Sequence, residues 1–353
     1  MRKIPSLDGV RAASILLVLI GHLSHGAGFP ASWNAASGYI TTGDLGVRIF
    51  FVLSGFLITT LLLEDERAHG RIRLGNFYER RALRILPVYF AFAAVLALLD
   101  AFTALDVSTS RYATLLTFTK NMSYAGWHDG HLWSLAVEQQ FYLLWPLTLL
   151  LLKGKARLVA MGIVVGLAML FRPLFYAAHN APWFLYSLPT NMDALMFGAA
   201  AALFAFQRPE MARAVVRFYP FPLRLLAVAA MVAVWQMTLH ARFGLFTVPL
   251  GPAVQCAAAA FLILSYAHET GGPVFYCLNH PMAVGLGALS YSLYVWQQLF
   301  FVAEGDYAPT HPFFLHFPWN LGAIMLAATV SYFLIERPFF TLRRRLRSDA
   351  ASR

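Results

Sequence analysis

The segment Arg11-Ala-Ala-Ser-Ile-Leu-Leu-Val-Leu-Ile-Gly-His22 sets ten uncharged residues between a guanidinium and an imidazole. Read as a helix, eleven steps bring the two side chains within roughly 20° of each other, about 16 Å apart along the axis. One face then carries a cation near one membrane surface and a histidine deep in the apolar layer. Ionisable groups in lipid are costly, so such a pair belongs inside a bundle, with partners.

The rest of the chain has the same character. Hydrophobic residues make up 59% and charged residues 12% of 353 positions, against about 25% charged in soluble proteins. Runs long enough to cross about 30 Å of hydrocarbon recur throughout. They lie near 10–28, 44–63, 84–104, 132–152, 156–175, 190–207, 223–240, 249–268, 283–303 and 318–340. These ten spans predict an all-α polytopic membrane helix bundle. The apolar run at 112–119 is short and is expected to be re-entrant or interfacial. The first span has the basic start of a secretory leader. It lacks a small-residue cleavage site and many more spans follow, so it reads as a helix of the bundle.

Lys and Arg orient the bundle. With a cytoplasmic N-terminus, nearly all of the 27 basic residues fall on inner segments, from Arg2, Lys3 and Arg11 to Arg343, Arg344, Arg345, Arg347 and Arg353. Only Arg111, Lys120 and Arg242 fall outside, and Arg48 and Arg172 lie within or at the edge of spans. The split obeys the positive-inside rule, and an even number of spans returns the C-terminus to the cytoplasm. The net charge of +10 is therefore mostly topological and needs no nucleic acid. What remains is available to anionic lipid or an anionic substrate. Cys256 and Cys277 make neither a disulfide framework nor a metal site, and read as small buried hydrophobes. No phosphate loop, dinucleotide fingerprint or zinc spacing is present. The expected organisation is one membrane domain over 1–341 and a basic cytoplasmic tail at 342–353.

Chemistry must then sit within the bundle. His22 is either a hydrogen-bonded structural histidine or a general base, since imidazole titrates near neutrality. His25, three residues on, is a second proton partner or an interfacial residue. Arg80, Arg81 and Arg84 crowd the start of the third span. With Arg11 they form either topological anchors or an anion cradle, for which guanidinium forks are suited. Glu138 and Asp193 lie in apolar spans, where a carboxylate needs a partner; His22 and Arg48 are the candidates. Ser54-Gly55 suits close helix approach, and Ser54 as a nucleophile would need an adjacent base. The outer segment Trp127-His128-Asp129 reads as a headgroup-level loop or an acceptor contact.

Six stretches, in order, resemble the membrane acyltransferase-3 family. They are Leu7-DGVRAASILLVLIGH, Phe50-FVLSGFLIT, Arg81-ALR, His131-LWSLAVEQQFYLLWP, Ser290-YSLYVWQQ and Ile335-ERPF. Each is weak alone; together, over residues 1–341, they are specific. One departs from the pattern: many members carry His after the Trp of the late helix, and Gln297 stands there. The resemblance implies an O-acyltransferase of a bacterial cytoplasmic membrane. It implies an acyl-CoA donor on the cytoplasmic side, acetyl-CoA foremost, no permanently bound cofactor, and a sugar, glycan or related acceptor.

Joined to the spacing of Arg11 and His22, the resemblance gives a working hypothesis. Arg11, Arg81 and Arg84 hold CoA phosphates while His22 deprotonates the acceptor hydroxyl. Glu138 orients His22 or stabilises its imidazolium, as a carboxylate does in a triad. The enzyme acts alone or passes acyl groups to a separate partner. A proton-coupled transporter or flippase of an anionic or sugar substrate is the rival reading, because buried His, Arg and Glu in a ten-span bundle would suit one. No internal repeat supports it.

Overall fold

The computed structural model describes residues 4–30, 32–33, 43–103, 105–123, 126–177, 185–218, 221–302 and 312–341. The expected basic tail at 342–353 lies outside them. Each of the ten predicted spans falls on a helix: α1 (Leu7–Leu23), α2 (Gly43–His69), α3 (Leu74–Phe102), α4 (Trp133–Leu151), α5 (Lys155–Ala177), α6 (Leu188–Gln207), α7 (Phe221–Leu239), α8 (Gly251–His268), α9 (Pro281–Trp296) and α10 (Trp319–Thr341). Among the described residues there is no strand. By length and composition seven of these helices can cross a membrane: α2, α3, α5, α6, α7, α8 and α10. The other three are α1, with 17 residues, α4, with 19, and α9, with 16. The short apolar run near 112–119 includes the end of an 8-residue helix, Thr109–Leu116.

Burial sorts the helices into layers. The apolar window of α2 is 67% buried, whereas those of α5 and α7 are 17% buried. So α2 is the central post, and α5 and α7 turn Leu158, Val159, Ile163, Leu170, Leu225 and Leu226 outward, as expected of helices facing lipid. The close contacts of α2 are made by glycine. A Cβ at Gly55 would stand 1.9 Å from the Leu195 carbonyl oxygen, and one at Gly198 would stand 1.9 Å from that of Val52. Reciprocal glycines let α2 and α6 approach backbone to backbone, which replaces the hydrophobic drive that lipid does not supply. On the other side of α2, α1 packs between α2 and α9.

The late motif Ile335-Glu-Arg-Pro-Phe proves to be a clamp. A π-helical turn, Tyr332–Glu336, interrupts α10 and directs Glu336 inward. Ser292 of α9 donates to the Glu336 carboxylate at 2.5 Å, and Ser292 and Ser331 lie 3.1 Å apart.

Candidate active site

Three of the arginines singled out in the sequence share one cavity. Arg11 comes from the first half of α1, and Arg81 and Arg84 come from the start of α3. The cavity leaves about 100 Å³ open to the centres of water molecules. Ser54 of α2, Glu138 and Tyr142 of α4, and Tyr291 and Tyr294 of α9 complete its polar lining, and Val47, Phe50, Phe51 and Leu57 its apolar side.

The three guanidiniums are unequally engaged. Arg11 donates to Asp8 one turn away at 2.7 Å. Arg81 lies over the rings of Phe77 and Tyr142, 5.8 and 5.4 Å from their centroids. Arg84 makes no hydrogen bond or ion pair with the described residues. Glu138 is the one carboxylate in the lining, and with Asp8 paired to Arg11 beside it three cations face two carboxylates. That excess is costly in an apolar bundle and is relieved when a multiply charged anion enters.

Glu138 is placed differently from the sequence reading. It does not meet His22. The hydroxyls of Ser54 and Tyr142 bond to each other, and the Glu138 carboxyl lies beside both. Ser54 therefore has the adjacent acceptor that its sequence context could not show.

His22 lies at the other end of α1, outside the lining of this cavity. Its Nδ1 is 3.0 Å from Gln297 Oε1. The Gln297 amide is oriented by a second bond, from its Nε2 to the Tyr294 carbonyl at 3.2 Å. An amide oxygen only accepts, so the neutral imidazole carries its proton on Nδ1 and its lone pair on Nε2. That lone pair faces the start of α2, where a Cβ at Gly43 would stand 3.9 Å from Nε2. Trp127 meets His22 edge-on, with centroids 5.9 Å apart, and also contacts His25 at 6.1 Å. His25 is exposed and bonds through Nδ1 to the Gly21 carbonyl at 3.0 Å.

Several residues take roles the sequence did not assign them. Gln297, set aside because it does not titrate, fixes the tautomer of His22. The segment Trp127-His128-Asp129 is not a loose headgroup loop. It forms one helical turn with His128 and Asp129 buried, and Trp127 Nε1 donates to the Phe301 carbonyl at 2.6 Å. Asp129 pairs with Arg111 at 2.5 Å and with buried Lys120 at 2.6 Å. Lys120 lies outside the spans, and burial pushes its ammonium below the usual lysine range while Asp129 pulls it back. Asp193 pairs with Arg172 at 2.5 Å, not with His22 or Arg48. His131 is buried and held by Gln298 at 2.7 Å and by the Val295 carbonyl at 3.0 Å. Cys256 is buried as expected, but Cys277 is exposed.

A family model described as an acyltransferase domain matches residues 4–337, nearly the whole chain. The chain belongs to the membrane acyltransferase-3 family. O-acetyltransferase OatA of Staphylococcus aureus (strain NCTC 8325 / PS 47) is 28% identical over 365 residues, covering 96% of this chain and 57% of that protein. A Bacillus subtilis (strain 168) protein named "Putative peptidoglycan O-acetyltransferase YrhL" is 27% identical over 383 residues, covering 96% of this chain and 55% of its own length. The chain thus spans somewhat more than half the length of these relatives. No solved structure matches it. Family membership and the apolar helices make the chain an integral membrane protein of an O-acetyltransferase family.

Proposed function

We propose that this chain moves an acyl group from cytoplasmic acyl-CoA to a hydroxyl of a sugar or glycan. The names of its relatives point to acetyl as the group and to peptidoglycan as one acceptor class. The observation that carries the donor half is the cavity where Arg11, Arg81 and Arg84 converge and outnumber the carboxylates, Glu138 and Asp8, beside them. Guanidinium forks bind phosphate oxygens in bidentate geometry, and CoA supplies several phosphates at one end of a long flexible arm. With the arginine end cytoplasmic, the arm runs inward past Tyr142 and Glu138 and carries the thioester toward the middle of the bundle.

His22 is the general base in this reading. Its Nε2 lone pair takes the acceptor proton, the oxygen attacks the thioester carbonyl, and the C–S bond breaks to release CoA. Since His22 stands apart from the arginine cavity, the acceptor approaches from the end of the bundle where α2 begins. Glu138 braces Ser54 and Tyr142 beside the donor instead of steering His22.

Acceptor acylation by the purified protein in vesicles tests both halves. His22→Ala is expected to abolish CoA release, and Arg84→Ala to raise the KM for acyl-CoA by about tenfold or more, the weight of a lost charged hydrogen bond. Normal turnover in His22→Ala would end the base assignment. Unchanged acyl-CoA affinity in Arg84→Ala would leave that arginine a membrane anchor. Gradient-driven uptake of substrate without CoA release would replace the enzyme with a carrier.

A further inference from the structure

A second cavity, separate from the arginine cradle, opens beside the start of α2. It leaves about 390 Å³ for the centres of water molecules, within the range of about 300–1,000 Å³ typical of small-molecule sites. Its walls come from the starts of α2, α4, α6 and α8 and the ends of α5 and α7. All of these lie at one end of the bundle, opposite the end that holds Arg11, Arg81 and Arg84.

The lining is of the kind that suits a carbohydrate. Trp133, Tyr176, Tyr186 and Trp235 supply aromatic surface, while Thr190, Asn191, Thr238 and Gln255 supply neutral polar groups. Trp133 and Tyr186 pack with ring centroids 4.9 Å apart at 59°. Aromatic walls with a few placed polar groups are a common way to bury an amphipathic ligand while fixing its orientation.

Two donors in this wall lack partners among the described residues. Arg172, 4% exposed, uses Nε on the Thr190 carbonyl and Nη2 on Asp193 but leaves Nη1 unmatched. Trp235, 5% exposed, leaves Nε1 unmatched. Asp193 Oδ2 is likewise unmatched beside Arg172, and neither Arg172 Nη1 nor Trp235 Nε1 reaches the cavity surface, so the groups that meet a ligand are the aromatic faces and the neutral polar side chains of the lining. Asp193 already offsets the charge of Arg172, and Asp44 and Arg48 both line the cavity. The site therefore asks for hydroxyl or amide oxygens rather than for a strong anion.

The two cavities are back to back. Val47 lines both. Phe51 of the arginine cavity meets Trp133 of the second edge-on, with centroids 5.9 Å apart. A partition one side chain thick separates them.

We infer that this second cavity binds the saccharide acceptor, with the faces of Trp133, Tyr186 and Trp235 against its sugar rings, Asn191 and Gln255 meeting its hydroxyls, and the boundary at Val47 shared with the donor cavity. The inference rests on the acyl-transfer reading and adds to it where the acceptor sits and which chemistry recognises it.

The test uses the full chain in nanodiscs, with intrinsic tryptophan fluorescence as the readout. The probes are a panel of neutral, N-acetylated and carboxylated oligosaccharides, with acetyl-CoA binding measured separately. At least one oligosaccharide is expected to bind saturably. Trp235→Ala, which removes part of the aromatic wall, is expected to bind it about tenfold more weakly. Val248→Trp, at the edge of the lining, fills the cavity and is expected to abolish saccharide binding; circular dichroism shows whether either variant is folded. If acetyl-CoA binds but no saccharide does, or if a folded Val248→Trp binds saccharide like wild type, the acceptor assignment is overturned. If acetyl-CoA itself does not bind, the donor reading fails instead.

Discussion

Gln297 shows how much one neutral side chain can settle. It has no titratable group, yet its amide oxygen holds Nδ1–H of His22 and puts the lone pair on Nε2, where the proposed base needs it. Gln297→Leu removes the acceptor and lets the imidazole take either tautomer. General-base catalysis contributes about 10²–10⁴-fold, and losing control of the tautomer should forfeit part of that. The expected outcome is a fall in kcat of about tenfold or more with the KM for acyl-CoA unchanged, because the arginine cavity is untouched. Gln297→Glu, which keeps an oxygen at that position, should recover most of the loss. A Gln297→Leu enzyme with normal kcat would show that His22 needs no such partner. The sequence marked His22 as costly and worth explaining. It could not say which of several polar residues met the ring, since a partner 275 positions away is set only by how α1 and α9 pack.

At the scale of elements, the connection from α3 to α4 was the least legible part. Its Lys120 and Arg111 entered the sequence reading only as outer positive charges. In the structure Asp129 draws both inward and pins this segment beneath the turn that carries Trp127, which in turn contacts His22. Composition can tell that a segment is too polar to span, but not that one buried carboxylate holds two of its cations. The balance of charge makes a directional prediction. Asp129→Asn strips the carboxylate from buried Lys120 and half-buried Arg111 and should cost about 3–5 kcal/mol, as for a broken buried ion pair. Lys120→Met leaves Arg111 and Asp129 paired and should cost markedly less. Thermal unfolding midpoints of the two variants in the same detergent decide it, and equal losses would show that Lys120 carries as much as Asp129. The helices themselves were far more legible, because an apolar solvent demands long apolar runs wherever a span occurs.

For the whole molecule, the structure gathers segments that the sequence expects to be cytoplasmic at one end of the bundle. The arginine cradle, the start of α1 and the segment before α9 lie together. Ser6 and Asn279 are hydrogen-bonded, and a Cβ at Gly9 would stand 2.2 Å from the Leu278 carbonyl oxygen. The positive-inside rule predicts that this end is cytoplasmic. The two cysteines allow that assignment to be checked on the native sequence. Cys277 is exposed at the arginine end, in the short helix Pro273–Leu278, whereas Cys256 is buried in α8. A charged, membrane-impermeant maleimide should therefore label Cys277 in inside-out vesicles and fail to label it in intact cells. Cys256 should stay unlabelled in both until the protein is denatured. Cys277→Ser removes the signal if the site is the right one. Labelling from outside intact cells would reverse the bundle, put the arginine cradle on the side without CoA, and leave the donor proposal without its substrate.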